Sequence, residues 1–253
     1  MGSDSASQPL AGRRVVVTRA PHQAEPTVRE LEALGAAVHV VPLIQVDPIE
    51  DVETLETSVH GVHRYDWLVV TSANGVAALA GWAAFPWLVR NVQVAAVGPA
   101  TATALRQLGV EPAFVPDRYA AAEIASGLAP VDGTRVLLVQ ADIADRRLAE
   151  DLRRRGATVD QIHVYRTVEI EAEEAALAEL RGSDAVLLAS GSAARSLAAQ
   201  GGAGDALVVC IGPKSADVAR EVGLEVALVA DEATAQGMIQ ALVTHYSDHG
   251  ESE

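Results

Sequence analysis

Gly12 to Val46 reads GRRVVVTRAPHQAEPTVRELEALGAAVHVVPLIQV, and Gly133 to Thr167 reads GTRVLLVQADIADRRLAEDLRRRGATVDQIHVYRT. At a constant offset of 121, Gly12 aligns with Gly133, Val15 with Val136, Leu31 with Leu152 and Gly35 with Gly156. Each stretch runs from a β-branched segment, through apolar residues spaced three and four apart, to a glycine and a second β-branched segment. That is strand, helix, strand. A second series follows each copy. Asp66 to Ala73 (DWLVVTSA) parallels Asp184 to Gly191 (DAVLLASG), and Val94 to Gly109 (VAAVGPATATALRQLG) parallels Val208 to Gly223 (VVCIGPKSADVAREVG). The chain therefore reads as a duplication in which both halves carry the same elements.

Within each half the strand candidates are short and nearly continuous in apolar residues, as strands buried on both faces of a parallel sheet must be. They are Val15 to Val17, Val38 to Val41, Trp67 to Val70, Val92 to Val97 and Ala113 to Val115. The second set is Val136 to Val139, Val159 to Val164, Ala185 to Leu188, Leu207 to Ile211 and Val226 to Val229. Between them Val28, Leu31 and Leu34, and again Leu148 and Leu152, keep helical spacing. Gly35, Gly109, Gly156 and Gly223 each follow a helix, where a left-handed residue ends it. Ten strands alternating with helices predict an α/β fold of two five-stranded parallel sheets, each flanked by helices. Two connectors, Pro42 to Pro48 and Val164 to Ile170, occupy equivalent places in the repeat, and the prolines of the first favour an extended path. From periodicity alone, the first strand-helix-strand piece can belong with either half.

The 253 residues leave room for one to two domains and an ample core, and 49% hydrophobic with 21% charged residues excludes a disordered chain. A net charge of −15 argues against nucleic-acid binding, which needs a positive field to displace counterions from phosphates. The lone Cys210 forms no internal disulfide, the first nine residues hold no apolar signal core, and no apolar run approaches the ~20 residues of a membrane span. A reducing, cytoplasmic setting is expected, with no membrane partner, a monomer by default, and residues 1–11 and 247–253 as flexible tails.

No metal is expected. His60 and His63 lie three apart near Glu56, but in a polar stretch with no further ligand at a defined spacing, so a solvated helix face accounts for them. Dinucleotide binding is only weakly signalled. Gly98-Pro99-Ala100-Thr101 and Gly212-Pro213-Lys214-Ser215 follow strands and open helices, yet neither is a dinucleotide fingerprint nor a Walker loop. Taken together, the strand ends are more telling. Ligands of open α/β sheets bind beyond the carboxyl ends of the strands. Those ends carry Thr18-Arg19, Thr71-Ser72-Ala73-Asn74, Gly98-Pro99-Ala100-Thr101 and Gln140, and further along the chain Ser190-Gly191-Ser192 and Gly212-Pro213-Lys214-Ser215. Free amides at helix starts favour anions, and two such arrays across a hinge suit a large polyanion. Helix capping explains each Ser or Thr singly. Tyr165 lies in a connector, where its phenol can serve as proton or hydrogen-bond donor; a buried structural tyrosine is the competing reading. No nucleophile–base pair is visible.

The stretches VVVTR, WLVVTSANGV, VAAVGPATATALRQLG, RRGATVDQIHVYRTV and VVCIGPKSADVAREVGL, in that order, resemble the uroporphyrinogen-III synthase family across Gly12 to Tyr246. The resemblance implies two flavodoxin-like domains joined by a two-stranded connector. The first would comprise residues 12–43 with 168–246, and the second 47–167. It implies cyclisation of hydroxymethylbilane, a linear tetrapyrrole octa-acid, to uroporphyrinogen III, with loss of water, inversion of the last pyrrole and no cofactor. A hydroxymethylbilane synthase would be a transient partner that hands over the unstable substrate. By the same resemblance Tyr165 assists departure of the hydroxyl, and Thr101, Ser72, Ser190 and Ser215 stand beside the substrate. Gln140 departs from relatives that carry a basic residue at that strand end, and Arg146 and Arg147 are candidates to replace it. With a charge of −15, binding would lean on Arg19, Lys214 and backbone amides, and so depend strongly on salt. Two other classes compete: a non-catalytic two-lobed module for a small polyanion, and a nucleotide-using α/β enzyme, against which the missing glycine fingerprint counts.

Overall fold

The computed structural model describes residues 8–49, 51–116, 121–128 and 131–249. The elements run β1 (Arg14–Val17), α1 (Pro21–Ala33), β2 (Ala37–Val40), β3 (Ile44–Pro48), α2 (Val52–His60), β4 (Trp67–Val70), α3 (Ala73–Ala80), α4 (Phe85–Leu88), β5 (Gln93–Ala96) and α5 (Pro99–Gln107). They continue with α6 (Ala121–Gly127), β6 (Arg135–Ala141), α7 (Arg147–Arg154), β7 (Thr158–Glu169), α8 (Glu174–Arg181), β8 (Ala185–Leu188), α9 (Gly191–Ala199), β9 (Leu207–Cys210), α10 (Pro213–Glu221), β10 (Val226–Val229) and α11 (Ala235–His249). By contacts the chain divides into two compact units, one of Met1–Gln45 with Val168–Glu253 and the other of Val46–Thr167.

The first unit holds a sheet of order β10-β9-β8-β1-β2, every neighbouring pair parallel. Counted along the chain, this is the 2-1-3-4-5 order of a flavodoxin-like sheet. The period of two places Val16, Val186, Leu188, Val208 and Cys210 in one core, and Val15, Val17, Ala185, Leu187 and Val209 in the other. Both faces are apolar because helices cover both.

The second sheet has the order β3-β7-β6-β4-β5, with β7–β6, β6–β4 and β4–β5 parallel. Its run β5-β4-β6-β7 repeats β9-β8-β1-β2, so the duplication read in sequence is present in topology. It reaches single hydrogen bonds. Asp184 accepts the Arg14 N–H at 2.7 Å, and the equivalent Asp66 accepts the Arg135 N–H at 2.8 Å, each tying two adjacent strands at their starts.

Two expectations need correction. Ala113 to Val115 forms no strand and makes only the single bridge Ala95↔Phe114. Pro112 and Pro116 flank it, and a residue without an N–H cannot extend a ladder. The fifth strand of that sheet is instead β3, from the first connector, while the second connector is the end of the 12-residue β7. The tails are also shorter than expected. Leu10 is fully buried in the core with Leu31, and its N–H meets the Leu34 carbonyl at 3.0 Å, while Ser247 to His249 continue α11. The rest of both expected tails lies outside the described residues, apart from Gln8, Pro9 and Ala11. Among the described residues, no helix is long and apolar enough to cross a membrane.

Candidate active site

In the second unit the site begins with an irregularity in β7. Its register to β6 runs Gln140↔His163 and then Ala141↔Tyr165, so Val164 is an extra residue. Strict alternation would turn Tyr165 to the face of Val159. The bulge instead returns it to the face of Ile162 and Val164, and all three share one core. Asp142 holds the distortion. Its carboxylate accepts the Ile143 and Thr167 amides at 2.9 and 3.2 Å, and its own N–H donates to the Tyr165 carbonyl at 3.2 Å.

The phenol of Tyr165, in a residue 8% exposed, reaches across β6 to the start of α3. Its oxygen lies 3.0 Å from Ser72 Oγ, and the Asn74 side chain hydrogen-bonds it as well. Ser72 is the N-cap of α3 and accepts the Gly75 N–H at 3.0 Å. Burial raises the phenol's pKa above its ordinary value. The Ser72 and Asn74 hydrogen bonds oppose the rise, and the nearby Asp142 charge adds to it. The Tyr165 hydroxyl is therefore a neutral donor at physiological pH, held at two points.

The helix starts divide into two kinds. Ser72 caps α3, and Ser190 caps α9 in the same way, accepting the Ala193 N–H at 3.1 Å. The starts of α5 and α10 have Gly98 and Gly212 at the N-cap and no side-chain cap. Their backbone ladders begin at Ala102 and Ala216, which bond to the glycine carbonyls at 2.9 and 3.1 Å. The amides of Ala100, Thr101, Lys214 and Ser215 precede those ladders and point along the positive end of the helix dipole. Thr101 and Ser215 are buried, and Lys214 is exposed in the first turn of α10.

The remaining sequence candidates fall into separate places. In the second unit Ala73 opens α3 beside Ser72. Gln140 does not join Tyr165. Leu137 and Val139 of β6 face the Tyr165 core, whereas Val136 and Leu138 face the other, and alternation puts Gln140 on that second face. There it lines a hollow with Arg146, while Arg147 pairs with Asp145 at 3.4 Å and is not among the lining residues. In the first unit Arg19, the repeat counterpart of Gln140, is half-buried, and burial lowers its pKa; its guanidinium lies 3.4 Å from Gln23 Oε1. Gly191 has a packing reason, since a Cβ there would sit 3.0–3.1 Å from three atoms of Val218 on α10. Ser192, half-buried, follows it in the first turn of α9. His60 and His63 are exposed, each bonded to a backbone carbonyl of its own turn, and no metal-holding cluster occurs among the described residues.

Sequence reasoning missed Asp142 as the residue that shapes the Tyr165 bulge. Its signal was faint: one acidic residue directly after an apolar strand, whose partners are backbone amides 1 and 25 positions away.

Known proteins bear on these features. A uroporphyrinogen-III synthase of Synechococcus elongatus is 30% identical over 165 residues, 63% of this chain and 62% of that protein. A porphyrin biosynthesis protein HemD of Ruminiclostridium josui is 30% identical over 166 residues, 63% of this chain and 33% of that one. The alignments thus span about three fifths and one third of those relatives. A crystal structure of a mutant uroporphyrinogen III synthase from Thermus thermophilus has the same fold, with a TM-score of 0.66 at 17% identity, covering 94% of this chain and 100% of that one. The model of the uroporphyrinogen-III synthase HemD family matches residues 25–240, which takes in both connectors and the starts of α3, α5, α9 and α10. The chain belongs to the uroporphyrinogen-III synthase HemD family.

Proposed function

We infer that the protein is a cyclising hydro-lyase of tetrapyrrole biosynthesis, converting hydroxymethylbilane to uroporphyrinogen III with loss of water and inversion of the last pyrrole. The observation that carries this reading is the buried Tyr165 phenol, 3.0 Å from Ser72 Oγ at the mouth of the second sheet. Because Ser72 Oγ already accepts the Gly75 N–H, its own hydroxyl is free to donate to the phenol oxygen. The phenolic proton is then available to the departing hydroxyl of the substrate. The uncapped starts of α5 and α10, with Thr101, Lys214 and Ser215, receive substrate carboxylates, and Ser190 and Arg19 add donors in the first unit. No nucleophile is required: loss of water leaves a reactive azafulvene, and the protein's work is to hold one fold of the chain. The segments 12–43 with 168–246, and 47–167, are its two working domains. The enzyme acts as a cytoplasmic monomer and takes its substrate from a hydroxymethylbilane synthase.

The test is consumption of hydroxymethylbilane generated in situ, without added cofactor. The wild type should accelerate it well above the spontaneous rate, and Tyr165→Phe should be slower with unchanged circular dichroism. Binding of a porphyrin polyanion with no acceleration would favour the non-catalytic module.

A further inference from the structure

The two copies of the repeat part company beside Tyr165. At the offset of 121, β1 and β2 map onto β6 and β7 in one register, Val17↔Val40 matching Leu138↔Gln161. Both strands of the first copy end there, whereas β6 runs on to Ala141 and β7 to Glu169. The helices differ as well. α1 opens at Pro21 and ends at Ala33; α7 ends at the matching Arg154 but opens only at Arg147, so Asp142 to Arg146 lie outside it. Asp142 stands where α1 has Pro21, and Tyr165 where the first copy has Ile44. In the second copy, then, longer strands carry a tyrosine to the sheet's end, and a shorter helix frees the backbone beside it.

Asp142 uses that freedom. Its N–H donates to the Tyr165 carbonyl at 3.2 Å, and one oxygen, Oδ1, accepts both the Ile143 N–H at 2.9 Å and the Thr167 N–H at 3.2 Å. A carboxylate that served only the turn into α7 would need the first of these amides alone. The Thr167 amide lies past Tyr165 on β7, so the stretch that follows the extra residue Val164 is held at Tyr165 and again at Thr167 by the same side of one residue. A bulge re-aims the side chain next to it, and this one is fixed from outside its own strand. Asp142 lines the hollow with Gln140, on the face away from the phenol. Its hold on Tyr165 therefore runs through the backbone, while the phenol's own hydrogen bonds go to Ser72 and Asn74.

We propose that Asp142 is a positioning residue: through Oδ1 it locks the β7 bulge, keeps the Tyr165 phenol in place beside Ser72, and bears on the reaction through Tyr165 alone. Its effect on turnover rests on the function inferred above; its effect on the phenol does not.

Two variants of the full-length protein separate geometry from charge. Asp142→Asn keeps a carbonyl Oδ1 for both amides, and Asp142→Ala removes it. With hydroxymethylbilane, Asp142→Ala should lower kcat by up to about 100-fold, the cost of misplacing a group by ~1 Å, with KM little changed. Asp142→Asn should restore most of the loss. In a Tyr165→Phe background Asp142→Ala should cost nothing further, because the group it positions is gone. The phenol is followed directly by NMR of protein labelled with ¹³C at tyrosine Cζ, where the resonance missing from Tyr165→Phe is that of Tyr165. Asp142→Ala should move this resonance, and Asp142→Asn should leave it close to its wild-type position. A wild-type kcat and unmoved resonance in Asp142→Ala, losses that multiply in the double variant, or an Asp142→Asn as impaired as Asp142→Ala would each overturn the proposal. Should Asp142→Ala not fold, an Asp142→Asn variant that folds yet loses turnover and moves the resonance overturns it alone. A wild type that makes no type III isomer would remove the synthase reading and leave the Tyr165 resonance to decide whether Asp142 sets the phenol.

Discussion

At Tyr165 the local environment selects between two forms of one side chain. Burial disfavours phenolate, and the Ser72 and Asn74 contacts moderate that preference without reversing it, so the hydroxyl keeps its proton past the ordinary phenol pKa of 10.0. Tyr165→Phe should therefore lower kcat by about 100-fold, the lower end of the range for a positioned proton donor. The sign of the pH effect follows. A raised pKa means the donor form persists through pH 10 and is lost only above it, so wild-type kcat/KM should show no Tyr165-dependent fall below that pH. A rate ratio between wild type and Tyr165→Phe that collapses between pH 7 and 9 would remove the phenol from this role. Cys210 shows the same physics without a function. Its side chain is fully buried at the end of β9, and burial pushes its thiol up to about 11. A thiol-exchange reagent at pH 8 should find no reactive thiol in the native protein and one after denaturation. Rapid native labelling would show that β9 opens.

At the scale of elements, the same cap performs different work in the two units. Ser72→Ala and Ser190→Ala each remove one N-cap, worth about 1 kcal/mol, and the two should lower stability by similar amounts in denaturant titrations. Only Ser72→Ala also removes a partner of the Tyr165 hydroxyl, so it should bring kcat down toward the Tyr165→Phe level, whereas Ser190→Ala, which loses a proposed substrate donor, should raise KM with kcat little changed. A kcat unchanged in Ser72→Ala would show that Ser72 acts only as a cap. The caps and most strands were legible because hydroxyl residues before helical spacing, and β-branched runs between glycines, are local signals. The fate of Gln140 was not legible in the same way. Its side follows only once the Val136–Ala141 alternation is anchored to a particular core, and Tyr165 then breaks that alternation through a bulge whose partner Asp142 lies 23 residues earlier. Ala113 to Val115 failed for the opposite reason. Its apolar run looked like a strand, and the two flanking prolines, plainly visible in the sequence, outweighed it. Leu10 looked like part of a polar tail because one apolar residue has no periodicity, and its burial is set by α1 and α11 folding over it.

For the whole molecule, the duplication explains why two sheets share one order of four strands and one pair of strand-start aspartates, and why the sequence showed the architecture so clearly. The resemblance carried the discontinuous assignment of segments, which periodicity alone left open between two pairings. Charge is the other global property. A protein of −15 repels an octa-acid at long range, while the Arg19, Lys214 and amide donors act at contact. The screening length falls from about 30 Å at 0.01 M salt to about 8 Å at 0.15 M. Salt over that range should suppress the repulsion first, and KM for hydroxymethylbilane should fall. A KM that does not change would show that neither field governs binding. The central claim, that the fold holds the linear tetrapyrrole so that the last ring inverts on closure, is tested most directly by the product. Hydroxymethylbilane is formed in situ from porphobilinogen and a deaminase, the protein is added without cofactor, and the oxidised products are resolved as type I and type III uroporphyrins. The account predicts predominantly type III; type I at the spontaneous rate, from protein shown to be folded, would contradict it.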